Sequence, residues 1–87
     1  MNAARRKKLE ALNERLQTLV GQATDLRDEL QELCDEEQDY YDAMPESLQG
    51  GDKGSKAEGA IQAMEEVLNA VSEFADVDVS ALERAAE

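Results

Sequence analysis

Apolar residues recur at alternating spacings of three and four along the first half of the chain. The pattern continues through five periods of a heptad repeat, with Leu9 in phase a and Leu12 in phase d. Residues at this spacing lie on one stripe of an α-helix, and that stripe needs another helix to cover it. We call this stripe the heptad seam, and it consists of Leu9, Leu12, Leu16, Leu19, Ala23, Leu26, Leu30, Leu33, Glu37, Tyr40 and Met44.

The composition of the first half predicts one long helix over residues 3–44. Leu, Glu, Arg, Gln, Lys and Ala dominate this stretch, and all are good helix formers. Pro45 is expected to end the helix, because proline removes a backbone donor and disfavours helical angles at the residue before it. Residues 45–54 should form a turn that contains three glycines, and residues 45–49 could add one short helical turn with Leu48 at its tip.

A second, shorter helix is predicted over residues 55–75. Ser55 and Glu58 have the spacing of a capping box, in which each side chain bonds the other's backbone amide. Ser80 and Glu83 repeat this spacing and predict a short C-terminal helix over residues 80–86. The apolar stripe of the second helix consists of Ala57, Ile61, Met64, Leu68, Val71 and Ala75.

These elements predict an all-α fold: residues 1–87 form one domain, a coiled-coil-like antiparallel helical hairpin. Facing residue numbers should sum to about 101 across the hairpin, so that Leu33 meets Leu68 and Tyr40 meets Ile61. The second helix then ends opposite Leu26, and the C-terminal helix could fold back near Leu19. In this arrangement no part of the chain reaches Leu9 or Leu12.

The uncovered end of the first helix predicts self-association. Burying one leucine side chain stabilises a structure by about 1.5–3 kcal/mol, and a small domain has only about 5–15 kcal/mol in all. We therefore expect a homo-oligomer, most simply a dimer, formed through Leu9, Leu12, Leu16 and Leu19.

The net charge of −12, from 21 acidic and nine basic residues, restricts the partners. A strongly acidic chain is not expected to bind nucleic acid or an anionic membrane directly, whereas a basic host protein would suit it. The basic residues 5–8 could also dock on the acidic arm of a second copy. The single Cys34 cannot form an internal disulfide. The sequence starts at Met1 and shows neither a signal-peptide pattern nor a long apolar run, so we expect a cytoplasmic protein without a leading targeting segment.

Acidic residues are most concentrated between Asp28 and Asp52, where ten acids occur without a base. This tract has two interpretations: it is a solvated outer face, or it mimics nucleic acid and blocks a basic groove. Pairs of acids at i, i+3, such as Glu29 with Glu32, also occur in helical nucleotide hydrolases that hold magnesium. Pairs at this spacing arise by chance in so acidic a chain, and there is no His. We therefore predict no enzyme activity, no catalytic residue, no cofactor and no metal, and a metal-dependent nucleotide hydrolase stays open as the weaker alternative function.

The hairpin tip concentrates the unusual residues of an otherwise plain helical chain. We predict that it is a partner-binding site formed by Tyr41, Met44, Pro45, Leu48 and Gln49. The alternative is structural, because a corner that reverses the chain needs proline and glycine, and its apolar residues would cap the heptad seam.

Residues 35–67 resemble a recurrent pattern in small, uncharacterised acidic proteins of phages and prophages. The pattern has an acidic helix end, an aromatic residue, a Met-Pro-Glu-Ser-Leu-Gln corner at residues 44–49, a charged glycine turn and an Ala/Ile-rich helix. The resemblance implies a phage accessory protein that acts on host or defence machinery, which places it in the host cytoplasm. It implies no activity or cofactor. The predicted function is a non-enzymatic protein–protein interaction module.

Overall fold

The computed structural model describes all 87 residues and contains four α-helices and no strands. The helices are α1 (Ala3–Asp42), α2 (Glu46–Gln49), α3 (Asp52–Ala75) and α4 (Ala81–Ala85). The all-α prediction with a long first helix is therefore confirmed.

Local side-chain chemistry explains where α1 begins and ends. The Asn2 side chain caps the helix, because its Oδ1 accepts a hydrogen bond of 2.8 Å from the Arg5 amide. The helix ends at Asp42, two residues before the predicted end at Met44. Met44 lies directly before Pro45, and the residue before a proline avoids helical angles.

The turn at the tip of the hairpin ends earlier than the sequence predicts. After one turn of helix in α2, α3 begins at Asp52 rather than Ser55, so Ser55 lies within the helix and its predicted capping box with Glu58 is wrong. Gly54 explains the early start, since a Cβ at this position would lie 1.9 Å from the carbonyl oxygen of Gln49. Without a side chain at Gly54, the start of α3 packs directly on the backbone of α2.

The core lies between the C-terminal half of α1 and α3. It is built on Cys34, Ile61 and Leu68, against which Leu30, Tyr41 and Met64 pack. Only six of the 87 residues are buried, as expected for a chain too short to enclose much apolar surface.

The face that α1 turns toward α3 differs from the predicted one. Leu33 and Tyr40 are 56% and 52% exposed, so the predicted pairs Leu33–Leu68 and Tyr40–Ile61 are wrong. The residues that follow them, Cys34 and Tyr41, pack against the core instead. Phases d, a and e together form an apolar arc about 100° wide on α1. One facing helix covers only the part of the arc in phases a and e. The residues in phase d, which we call the d line, remain uncovered.

The end of the chain folds back along the start of α1. Arg6 Nε donates a hydrogen bond of 2.7 Å to the Ala86 carbonyl, and Asn13 Nδ2 lies 3.4 Å from Glu83 Oε1. The prediction that nothing reaches the region of Leu9 is therefore wrong, and α4 lies nearer the amino terminus than the expected position at Leu19. Residues 76–80 supply the extra length, because they continue past the end of α3 before α4 begins.

The whole molecule is a narrow rod with extents of 67 × 15 × 14 Å. Its radius of gyration is 19.9 Å, whereas a compact domain of this length has about 12 Å. A rod exposes most of its length, so its function must be sought on its faces and ends.

Candidate interaction surface

A line of large apolar side chains runs uncovered along α1. Its members lie seven residues apart, and each is between 49% and 56% exposed. At 1.5 Å per residue the line is about 42 Å long. It consists of Leu12, Leu19, Leu26, Leu33 and Tyr40.

Helix α3 widens this line into a face. Ala70, Val71 and Phe74 border an open apolar groove whose other wall contains Leu19, Ala23 and Leu26. Val67 precedes Phe74 by two helical turns, and these two side chains are 50% and 41% exposed. We call the combined surface the leucine face, defined by Leu12, Leu19, Leu26, Leu33, Tyr40, Val67, Ala70 and Phe74. Seven of the ten large apolar residues that the molecule exposes lie on it. A contiguous apolar surface of this kind is typical of interaction sites.

The charges beside the leucine face change sign along α1. The residues in phase g flank the d line on the side away from α3, and four of them are charged and exposed. Lys8 and Arg15 are basic at the amino-terminal end, whereas Glu29 and Glu36 are acidic toward the tip. The flank therefore has a positive end and a negative end.

The four residues predicted for self-association are divided between two environments. Leu12 and Leu19 lie on the leucine face, each 49% exposed. Leu9 and Leu16 are half-buried in the region where α4 returns along α1. Sequence reasoning missed the exposure of the d line farther along α1. The signal was present in phase e, where Val20, Cys34 and Tyr41 offered a second apolar line for α3.

The structure also gives roles to the residues predicted at the tip. The Tyr41 hydroxyl donates a hydrogen bond of 2.5 Å to Glu58 Oε1, and Gln49 Nε2 donates one of 3.0 Å to the Tyr41 carbonyl. These contacts hold α1 against α3 and α2, and the bond to Glu58 raises the pKa of the Tyr41 phenol above its usual value. Met44 is half-buried, whereas Pro45 and Leu48 are exposed. The tip residues available to a partner are thus mainly Pro45 and Leu48.

The acidic tract lies on the outside of the molecule. Most of its α1 members fall in phases c, f and g, and apart from the half-buried Glu37 they are exposed. Two are bonded to glutamines one turn earlier, in the pairs Gln31–Asp35 and Gln38–Asp42 at 3.0 Å. Nowhere do three or more His, Cys, Asp or Glu side chains converge as metal ligands would. Burial raises the pKa of the Cys34 thiol, which disfavours its reactive thiolate form.

Comparison with known proteins finds no match to a family model, a curated protein or a solved structure. None of the helices combines the length and apolar character needed to cross a membrane. The physical properties of the surface therefore carry the functional argument.

Proposed function

We propose that the protein is a non-enzymatic protein–protein interaction module, of the kind used by phage accessory proteins to modulate a host or defence protein in the host cytoplasm. One observation carries the proposal, namely that the leucine face stays exposed along about 42 Å of α1 although α3 and α4 both pack on that helix. Covering half-exposed leucines with another helix is favourable because it removes apolar surface from water. The acidic surroundings favour a partner with basic residues around its own apolar patch.

Site-specific photo-crosslinking tests the proposal. A benzophenone amino acid placed at Leu33 reports on the leucine face, and the same amino acid at Glu32 reports on the acidic outer face. We expect Leu33 to crosslink to a host protein and Glu32 to give no product. The crosslinked protein is then purified, and its affinity is measured for the parent chain and for Leu33→Glu.

A loss of affinity in Leu33→Glu would support the module. Equal affinity for both chains, or the absence of a host product from Leu33, would contradict it.

A second function, mimicry of nucleic acid, is favoured by the row of exposed acids on α1. From Asp28 to Asp42, eight acids on α1 span about 21 Å, close to the charge spacing of a single strand. A mimic should crosslink from Glu32 rather than Leu33. Its affinity for a basic protein should also fall steeply with salt, while binding through the leucine face should change little.

A further inference from the structure

We propose that the leucine face binds a second copy of this chain in the antiparallel direction, with the twofold axis at Leu26. The inference rests on the proposed function, because the second copy occupies the face of the interaction module whenever no host protein displaces it. The apolar line is symmetric about Leu26, with two members on each side at equal spacing. An isologous contact of this kind requires a self-complementary surface.

The antiparallel pairing matches every member of the line with an apolar residue. Paired residue numbers sum to 52, so Leu12 of one copy meets Tyr40 of the other, and Leu19 meets Leu33. Leu26 meets its own counterpart at the axis. The second copy also brings its α3 toward the part of α1 before Leu19, where α3 of the first copy has ended.

The charges on the flank favour this direction. Phase g residues face one another across an antiparallel pair, which places Arg15 of one copy near Glu36 of the other. The basic residues 5–8 then lie near the acidic tip of the second copy, around Asp42 and Glu46. In a parallel pair the phase g residues of the two copies would lie on opposite sides of the contact, so Arg15 would not come near Glu36.

The size of the face fits a stable dimer. The line is about 42 Å long, and two helices packed 8–10 Å apart present a width of roughly 20 Å. The product is about 800 Å², the area that each partner contributes to a standard stable interface. The contact is also closed, because a twofold pair covers the face of both copies and leaves no further site for growth.

Disulfide crosslinking tests the direction of pairing. All variants carry Cys34→Ala, so that the introduced cysteine is the only thiol. Leu26→Cys should form a covalent dimer on mild oxidation. Leu12→Cys alone should not, because its two copies would lie about 42 Å apart and a disulfide requires Cα atoms within about 7 Å. A mixture of Leu12→Cys and a size-tagged Tyr40→Cys should give the mixed dimer.

The mass and length of the untreated protein test the assembly independently. Light scattering at high micromolar concentration should report twice the chain mass of 9.6 kDa. Small-angle scattering should report a maximum dimension close to the 67 Å of one chain, since residues 3–49 of the two copies overlap almost completely when centred on Leu26. Leu26→Glu should return the mass to that of one chain with its helix content unchanged.

Three results would overturn the inference. A single-chain mass at high micromolar concentration excludes the dimer. It leaves the leucine face free for a host protein, so it does not contradict the proposed function. A covalent dimer of Leu12→Cys alone shows parallel pairing. A dimer that persists in Leu26→Glu places the contact elsewhere.

Discussion

At the scale of single residues, Gly54 decides how closely the start of α3 approaches α2. Its α-carbon packs on the backbone of Gln49, where a Cβ would overlap the carbonyl oxygen. Gly54→Ala should therefore lower the free energy of unfolding by about 1–3 kcal/mol, the usual cost of overpacking. Thermal unfolding followed by circular dichroism measures the change.

Gly59 provides the matched control on the same helix. A Cβ there would meet no atom within 4 Å, so Gly59→Ala should raise the free energy of unfolding by about 0.4–1 kcal/mol through helix propensity alone. Equal effects of the two substitutions would show that the tip is not closely packed at Gly54.

Tyr41 should make the stability of the hairpin depend on alkaline pH. Its pKa is raised because the protonated phenol donates to Glu58, so the folded chain holds the proton more tightly than the unfolded chain. This contribution is present below pH of about 10 and is lost as the pH rises through the folded pKa. The unfolding temperature should therefore fall in that range for the parent chain. Tyr41→Phe should remove this part of the dependence.

Tyr40→Phe is the control for this measurement at chain concentrations too low for pairing, because within one chain Tyr40 is exposed and its hydroxyl makes no hydrogen bond. It should keep the alkaline dependence of the parent chain. The same pH profile for both variants would show that Tyr41 does not cause the alkaline dependence of the unfolding temperature.

At the scale of the helices, much of the fold follows from the sequence. The heptad spacing predicts α1, Pro45 sets its end, and the three glycines of the turn predict the reversal of the chain. The face of α1 that packs on α3 could not be predicted from spacing alone. Phases d and e both contain apolar residues beside phase a, and the choice between them depends on three-dimensional contacts such as Tyr41 with Glu58.

The candidate surface was predictable only in part for the same reason. Leu12 and Leu19 were expected to be uncovered, and they are. The rest of the d line was assigned to the core because α3 was placed on the wrong side of it. Leu9 and Leu16 were expected to be free, but the return of α4 depends on a link at residues 76–80 that has no periodic pattern.

Helix α4 should unwind at acid pH or when Asp78 loses its charge. The Asp78 carboxylate accepts hydrogen bonds from the Ser80 hydroxyl at 2.6 Å and amide at 3.0 Å, and from Arg84 at 3.0 Å. The Ser80 hydroxyl, Arg84 and the Ser80 amide, in that order, lower the pKa of Asp78. The stability they confer is present above pH of about 4 and is lost as the pH falls through the folded pKa.

Hydrogen exchange in Asp78→Asn measures this effect at neutral pH. The amides of residues 84–86 should exchange faster, while those in the middle of α3 should not change. Asp76→Asn is the control, since the Asp76 carboxylate makes no hydrogen bond. Equal exchange in the two variants would mean that Asp78 does not stabilise α4.

At the scale of the whole molecule, charge opposes folding. The chain has a net charge of −12, and only two salt bridges offset it, Arg27–Asp28 at 3.5 Å and Arg84–Asp78 at 3.0 Å. Both are exposed or partly exposed pairs, which contribute little to stability. The acids along α1 therefore repel one another, and the folded rod holds them closer together than the unfolded chain does.

This repulsion predicts that added sodium chloride raises the unfolding temperature. Salt shortens the range of repulsion between exposed charges to about 10 Å at 0.1 M and less above it, whereas a fold held by ion pairs would be weakened by the same change. A variant with Glu32→Gln, Asp35→Asn and Asp39→Asn should unfold at a higher temperature than the parent at low salt, and should respond less to added salt. All three side chains are exposed and lie away from the leucine face. Thermal melts across a salt series compare the two chains. An unfolding temperature of the parent chain that falls with salt would show that attraction between the charges of the rod outweighs repulsion.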